Sequence, residues 1–239
     1  MLTPADLFTD SELSRSLFFG TEHVWEALGN IGRCICSRIH PNVENIPRAG
    51  PVVTGDCTLD NGAAVHGGAF IVGDDIEIGP GAVVEPGAYI RGPAIIGPGT
   101  EVRHGAYVRG NVITGAGCVI GHTTEVKNSA LLGDSKAGHF AYIGDSILGA
   151  VNLGAGTKLA NLKLMDSEIV VRIGGETYNT GLVKFGAIMG DGCSTGCNST
   201  TAPGTIMARN VLVYPNANAR GFYGPGTIIK LLQNIDIRS

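Results

Sequence analysis

An apolar residue recurs at every sixth position through most of this chain. The first block is Val53, Leu59, Val65 and Ile71, and the third runs from Met189 to Val213. Between them, after a slip of one residue, stand Ile78, Val84, Ile90, Ile96, Val102, Val108, Thr114, Ile120, Val126 and Leu132. Because a strand alternates its faces, six residues accommodate one flat strand and one corner, and three such faces close a coil of about eighteen residues. The period predicts an all-β parallel β-helix of hexapeptide repeats.

A small residue follows most apolar positions by four, with Asp75 after Ile71 as the exception, which predicts a narrow interior. These residues are Cys57, Ala63, Ala69, Ala82, Ala88, Ala94, Thr100, Ala106, Val112, Cys118, Thr124, Ala130, Cys193, Ser199, Thr205, Val211 and Ala217. Gly and Pro crowd the positions between, where the chain must turn. The six cysteines fit neither a disulfide framework nor a paired CxxC metal motif, so the three at small positions are predicted to be buried thiols.

Two segments fall outside the repeat. Residues 1–48 have helical features, including Thr3 followed by Pro4, and we expect them to form a cap over an open end of the β-helix domain at residues 49–239. Residues 158–187 contain two β-rich runs on either side of Gly174–Gly175. We expect a hairpin there, within a loop that projects from the coils.

Composition excludes several classes of function. The net charge is −4, and the basic residues are scattered, which indicates neither a nucleic-acid partner nor an anionic membrane surface. No apolar run reaches the length of a membrane span, and the N-terminus has no basic segment followed by an apolar one. The sequence therefore predicts a cytoplasmic protein that binds neither membrane nor nucleic acid.

The segment from Glu125 to Asn161 contains SKAGHFAYIGD followed by NLGAGT. It resembles the C-terminal acetyltransferase domain of the bifunctional N-acetylglucosamine-1-phosphate uridyltransferase/glucosamine-1-phosphate acetyltransferase. The continuation through Thr180–Gly186 and Thr195–Asn198 is similar to archaeal-type sugar-1-phosphate nucleotidylyltransferases that carry the same domain. Together the matching segments span roughly a hundred residues. The resemblance implies a left-handed helix, a homotrimer and acetyl-CoA as co-substrate.

The chain departs from that family in three respects. It has no room for the nucleotidyltransferase domain and no Gly-rich phosphate loop at its start, so we expect no pyrophosphorylase activity from this polypeptide. Leu162 follows Asn161, where the bacterial enzymes have a tyrosine. The basic tail of those enzymes is also missing, because the last residues here are Ile-Arg-Ser.

The resemblance assigns roles to nine residues. His139 is the candidate general base, since a neutral imidazole accepts a proton from an attacking ammonium near pH 7. Tyr142, Asn152 and Asn161 match sugar-binding positions, and Ala155 matches a backbone contact to the acyl donor. Candidates for the sugar phosphate are Arg103, Lys127, Lys163 and Lys184. The plainer alternatives are a histidine at an exposed corner, a tyrosine in surface packing, asparagines at turns and solvated basic side chains.

A metal site is the rival interpretation of the histidines. His104 and His122 are eighteen residues apart, one full coil, so they should stack on one corner near His139. That corner position otherwise holds outward turn residues such as Pro80 and Pro86, and we expect no metal.

Two functions remain open. The first is an acetyl-CoA-dependent N-acetyltransferase acting on an amino-sugar phosphate or a nucleotide-linked amino sugar. The second is a non-catalytic protein that binds a sugar nucleotide or partners with a separate nucleotidyltransferase.

Overall fold

The protein folds as a left-handed parallel β-solenoid of about nine turns. The six-residue period predicted the solenoid, and the family resemblance implied its hand. A computed structural model describes residues 2–233 and 236. Among these residues, no helix is long and apolar enough to cross a membrane.

The helices are α1 Pro4–Leu7, α2 Glu12–Leu17, a 3₁₀ turn Val24–Glu26 and α3 Ala27–Arg38. In chain order, β1 to β28 are Arg48–Ala49, Val52–Val53, Cys57–Thr58, Ala64–Val65, Phe70–Val72, Ile76–Ile78, Val83–Val84, Tyr89–Arg91, Ala94–Ile96, Glu101–Val102, Tyr107–Val108, Val112–Thr114, Val119–His122, Glu125–Leu131, Lys136–His139, Tyr142–Leu148, Asn152–Leu153, Lys158–Leu159, Val170–Ile173, Glu176–Asn179, Ala187–Met189, Ser194–Thr195, Thr200–Thr201, Thr205–Met207, Leu212–Val213, Asn218–Ala219, Phe222–Tyr223 and Ile228–Ile229.

Each coil has three faces, and strands of the same face pair from coil to coil. The first face is the one that contains the strand Ala94–Ile96, the second contains Glu101–Val102, and the third contains Tyr107–Val108. Parallel pairing joins successive coils, so that Glu101 stands opposite Val119 and Tyr107 opposite Glu125, both eighteen residues later. The apolar anchors point inward, and Val84, Ile90, Ile96 and Val102 are fully buried. Burial of this single row of side chains provides the main hydrophobic stabilisation of the coils.

The expected phase is wrong after Val126. The next inward residue is Leu131, five positions on, whereas Leu132 is only partly buried and packs outside the interior. Ala130, expected inside, also lies in that outer cluster. The cause is a shortened coil, in which Glu125 pairs with Tyr142 only seventeen residues later. Inward orientation therefore moves back by one residue on this face.

The N-terminal helices lie along the first face instead of over an open end. They cover an outward apolar column, one residue from each successive coil: Ile95, Ile113, Ala130, Ile147, Ile188 and Ile206. Helix α1 lies beside the late coils, where the backbone N–H of Asp191 donates a hydrogen bond to Leu7 O at 2.9 Å. Val43 and Ile46, which follow α3, pack into the interior at the early end. The end cap is thus a short loop, and the helices have the different role of burying a flank.

The predicted hairpin is present as β19 and β20, paired antiparallel from Val170–Asn179 to Ile173–Glu176. Lys158–Leu159 and Ala187–Met189 on either side belong to the coils. The hairpin folds back onto the chain, since Val171 is buried and the Tyr178 ring lies 5.6 Å from that of Trp25. Only part of the insertion projects, with Leu164 and Met165 the most exposed. The division into two domains at residue 48 stays a prediction.

Candidate active site

Three histidines form a column at the corner between the second and third faces, which we call the histidine corner. The rings of His104 and His122 are stacked, with centroids 5.6 Å apart and planes at 8°. His122 stands in register with His139 on the next coil. His139 is exposed, and the following coil places Ala155 beside it. The corner therefore presents a solvent-accessible imidazole next to a residue without a bulky side chain.

Backbone carbonyls fix the tautomers of two of these rings. Nδ1 of His104 lies 2.7 Å from Pro86 O, and Nδ1 of His122 lies 2.9 Å from His104 O. Because a carbonyl oxygen only accepts, both Nδ1 atoms carry the proton. In the neutral rings, Nε2 is then left as a proton acceptor facing away from the backbone.

A polar cluster lies on the third face, beyond the corner. The Tyr142 hydroxyl donates to Asn161 Oδ1 at 3.3 Å, and Nδ2 of Asn161 donates to Asp145. Lys127 Nζ lies 3.0 Å from the same Asp145 carboxylate. Asn128 Nδ2 donates to its other oxygen at 2.7 Å. Three of the predicted residues (Lys127, Tyr142 and Asn161) are therefore brought together.

Asp145 organises this cluster, and sequence reasoning did not single it out. It is buried, and its two oxygens accept from two amides and one ammonium, which satisfies a charge that would otherwise be costly to bury. The available signal was a column of Asn111, Asn128 and Asp145, spaced by seventeen residues. All three have positive φ, of 54°, 42° and 49°, the left-handed conformation that Asn and Asp tolerate best.

Gly144 lies directly beneath the polar atoms of this cluster. A Cβ at this position would stand 2.6 Å from the Tyr142 hydroxyl and 2.9 Å from Asn161 Nδ2. The phenol and the amide therefore pack against the glycine backbone, and any larger residue would displace them.

The phenol of Tyr142 stays protonated at neutral pH. Partial burial raises its pKa above the ordinary value, and the nearby Lys127 ammonium lowers it by less. Tyr142 is therefore a hydrogen-bond donor to Asn161 and still has lone pairs to accept from a ligand.

Arg103 lies on a different face from Lys127. Its guanidinium pairs with Glu101 at 2.6 Å on the second face. The arginine one coil before Lys127 on the third face is Arg109, which pairs with Glu125 at 2.6 Å. Arg109 is thus a residue of this face that the sequence interpretation missed, and its eighteen-residue distance from Lys127 was the signal.

Asn152 and Asn161 are separated by the histidine corner. Asn152 is exposed on the second face, in register with Lys136. Asn161 is buried on the third face, where its backbone carbonyl accepts from Phe185 N at 3.0 Å. The two asparagines therefore approach His139 from opposite sides.

The remaining predicted lysines belong to the insertion. Lys163 Nζ donates to the Glu168 carbonyl and lies 3.4 Å from Ser167 Oγ, so it is used within its own loop. Lys184 is exposed, and its backbone pairs with Leu162 directly after Asn161. Of the two, Lys184 has the freer ammonium group close to the cluster.

Glycines form a column along the second face beside the corner. Gly121, Gly138 and Gly154 occupy one outward position on successive coils, and Gly196 follows beyond the insertion. A Cβ on Gly121 would lie 1.9 Å from Gly138 O, and one on Gly154 would lie 2.5 Å from the Gly196 carbonyl carbon. The close stacking of the coils requires glycine at positions 121 and 154, whereas a Cβ on Gly138 would meet nothing within 4 Å. The result is a smooth strip of bare backbone.

Among residues 2–233 and 236, no group of three His, Cys, Asp or Glu side chains has an arrangement suited to a metal ion. His104, His122 and His139 follow one another along the solenoid axis, so they form a column instead of converging on one point.

The fold that carries this corner is a parallel β-solenoid of hexapeptide repeats. The chain belongs to the family described as the GMPPB C-terminal domain, whose model matches residues 90–221. A bifunctional sugar-1-phosphate nucleotidylyltransferase/acetyltransferase of Sulfurisphaera tokodaii is 36% identical over 104 residues, 43% of this chain and 26% of that protein. The bifunctional protein GlmU of Methanococcus maripaludis is 38% identical over 89 residues, 37% of this chain and 21% of that protein. The chain thus spans about a quarter of these relatives or less. A hexapeptide transferase family protein of Anaplasma phagocytophilum matches 67% of this chain and 76% of its own, at 19% identity and a TM-score of 0.34.

Proposed function

We propose that the protein is an acetyl-CoA-dependent N-acetyltransferase whose acceptor is an amino-sugar phosphate or a nucleotide-linked amino sugar. The observation that carries the proposal is the exposed imidazole of His139 at the histidine corner. The third face, which adjoins this corner, holds the cluster of Lys127, Tyr142 and Asn161 around Asp145. In this mechanism His139 takes a proton from the acceptor ammonium, and the free amine that results attacks the thioester carbonyl. The C–S bond then breaks, and the second proton that the nitrogen loses as the amide forms ends on the departing thiolate of coenzyme A.

The third-face cluster supplies the acceptor side of this site. Lys127 and Arg109 carry the positive charge that a phosphate requires, and the hydrogen-bonded Tyr142 and Asn161 side chains contact a sugar hydroxyl. Lys184 adds charge from the insertion. Arg103, Asn152 and Lys163 approach from other directions, so we assign them contacts with the outer parts of the ligands only.

The glycine strip and Ala155 supply the donor side. Bare backbone allows the extended arm of acetyl-CoA to approach closely, and backbone amides near Ala155 are donors for the thioester oxygen. No metal is needed for this transfer, because the developing oxyanion is stabilised by hydrogen bonds.

We further propose a cytoplasmic homotrimer in which the cleft between neighbours completes the site. The exposed side chains of Leu162, Leu164 and Met165 form an apolar tip on the insertion that suits contact with a second copy. Light scattering at micromolar concentration should give three times the chain mass. A monomer that nevertheless transfers acetyl groups would remove the composite site.

A thiol-release assay tests the activity directly. Wild-type protein is incubated with acetyl-CoA and a panel of amino-sugar 1-phosphates and nucleotide-linked amino sugars, with the matching N-acetylated sugars as blanks. We expect thiol release only with a free amine. Release with none of the acceptors would contradict the proposed function.

One observation favours a non-catalytic sugar-nucleotide-binding protein as second candidate. Both ends of the Asn161 amide are already engaged by Tyr142 and Asp145, and the following Leu162 is exposed. In that case the third face binds a sugar nucleotide, or a separate nucleotidyltransferase docks on it. Saturable ligand binding without thiol release would identify this function.

A further inference from the structure

An aromatic strip leads along the third face towards the proposed sugar site. Phe70, Tyr89 and Tyr107 stand in register on three successive coils. The rings of Phe70 and Tyr89 are stacked with centroids 6.0 Å apart, and those of Tyr89 and Tyr107 meet edge to face at 5.1 Å. Tyr107 is the most exposed of the three, at 40%. The next two residues of the same column are Glu125 and Tyr142.

A column of cations runs beside this strip, two residues further along each strand. It contains Arg91, Arg109 and Lys127, by continuation of the register that pairs Ile90 with Val108 and Val108 with Val126. The Arg109 guanidinium lies 5.7 Å from the centre of the Tyr107 ring. Arg91 is exposed, and its side chain has no hydrogen-bond or ion-pair partner in the part of the chain that the structure describes. Glu125 partly balances the charge of Arg109, and Asp145 partly balances that of Lys127. No carboxylate balances the charge of Arg91 among the described residues.

We propose that this strip binds the nucleoside diphosphate part of the acceptor, so that the substrate class is a nucleotide-linked amino sugar. The proposal rests on the proposed function and deepens it. The base packs against Tyr107 and Tyr89, because aromatic rings stack on any nucleobase. The diphosphate lies along Arg91 and Arg109, whose planar guanidinium groups suit phosphate oxygens. The sugar then lies against Tyr142 and Asn161.

The spacing of the coils fits this order of groups. From Tyr89 to Tyr142 there are three coil steps of ~4.8 Å, or ~14 Å, which leaves room for a ribose and a diphosphate between the base and the sugar ring. A free sugar 1-phosphate would reach Lys127 but leave both the strip and Arg91 unused. Discrimination between the two acceptors therefore depends on Tyr107 and Arg91.

Calorimetric titration tests the strip independently of acetyl transfer. The probes are uridine diphosphate, guanosine diphosphate, inorganic pyrophosphate and glucosamine 1-phosphate. We expect at least one nucleoside diphosphate to bind wild-type protein more tightly than pyrophosphate. Tyr107→Ala should weaken that binding roughly tenfold, the worth of one stacked base, and leave glucosamine 1-phosphate unaffected. Arg91→Ala should weaken it several-fold and reduce its salt dependence.

The chain offers matched control variants. Tyr214 is a comparably exposed tyrosine on the second face, also with a cation over its ring, and Arg220 occupies the same column as Arg91 at the far end. Tyr214→Ala and Arg220→Ala should leave nucleotide binding unchanged. All four variants should melt like the wild type, since none of these side chains is buried.

Three results would overturn the proposal. The first is that nucleoside diphosphates bind no more tightly than pyrophosphate, and the second is that Tyr107→Ala weakens the binding of all probes equally. The third is that Tyr107→Ala changes the mass of the assembly and leaves nucleotide binding unchanged. The last result would mean that a second copy covers the strip. Acetylation of glucosamine 1-phosphate without nucleotide binding would refute the strip and keep the proposed function. Nucleotide binding that depends on Tyr107, without thiol release with any acceptor, would keep the strip and refute the proposed acetyltransferase function.

Discussion

The Lys127 ammonium lies 3.0 Å from the carboxylate of Asp145, and the side chains are only 19% and 7% exposed. An ion pair so far from solvent is held in place by its further partners, here the amides of Asn128 and Asn161. Removal of one of these side chains leaves buried polar groups of the others without a hydrogen-bond partner. The resulting loss of stability is larger than the contribution of the ion pair itself. The position of Lys127, Asn161 and, through Asn161, Tyr142 therefore depends on Asp145.

Asp145→Asn is expected to lower the free energy of unfolding by about 2 kcal/mol, because it leaves a partly buried ammonium without its counter-ion. Urea denaturation measures the change. Asp134→Asn is the control, since Asp134 is exposed and has a similar φ of 50°. The control should stay within about 0.5 kcal/mol of wild type. Equal destabilisation of the two variants would show that backbone conformation, and not the buried charge, is responsible.

His139→Ala is expected to reduce the rate of acetyl transfer by about 10²–10⁴-fold, the usual worth of general-base catalysis. The melting temperature should hardly change, because His139 is exposed and contributes nothing to the interior. Acetyl-CoA binding should also persist. His104→Ala, two coils away on the same corner, should leave the rate unchanged. An unchanged rate in the His139 variant would transfer the base role to Tyr142 or a water molecule.

Ile147→Ala is expected to destabilise the protein by about 2–4 kcal/mol, although Ile147 points outward from its coil. The reason is that the N-terminal helices bury it completely. Ile228→Ala, at a half-exposed outward position in the last described coil, should cost much less. Thermal or urea unfolding distinguishes the two. Similar small effects would indicate that the helices do not cover the first face.

The buried thiols predict a loss of stability at alkaline pH. Burial raises the pKa of Cys118 and of Cys193 to about 11, from an ordinary value of 9.0. The unfolded chain therefore loses these protons first, and stability falls as the pH rises from 9 to 11. At pH 10.5 each thiol should account for about 2 kcal/mol. The difference between wild type and a Cys118→Ala/Cys193→Ala variant, measured by urea unfolding at pH 8 and pH 10.5, isolates this effect.

The six-residue period predicted the solenoid well because each coil repeats one physical solution, a large and a small residue on a flat strand. It failed at Leu132, where the coil becomes one residue shorter. Such a shortening can be seen in the sequence only as a second slip, and either Leu131 or Leu132 would continue the apolar pattern. The tertiary context decides, since Leu131 faces the interior and Leu132 faces the helices.

The candidate site was predicted in part. Lys127, Tyr142 and Asn161 are indeed neighbours, whereas Arg103 and Asn152 lie on another face. Spacing along the chain does not reveal which side of a corner a residue occupies when coil lengths vary between sixteen and nineteen residues. The roles of these residues in binding and catalysis stay predictions. Asp145 was missed because its importance comes from three partners on two other coils, Lys127 and Asn128 on one and Asn161 on the other.

The attachment of the first residues to the late coils has a consequence for how this chain can be made. Thr9 bonds Asp191, and Arg209 approaches Ala5, so the opening residues of the chain find their partners about two hundred positions later. Stacked repeats normally fold coil by coil, each depending only on its neighbours. Helix α3 finds apolar partners on the early and middle coils, but the α1 segment has none until the late coils exist. Closure of this long-range contact should therefore be the final and slowest step of folding, and it joins all the coils into one cooperative unit.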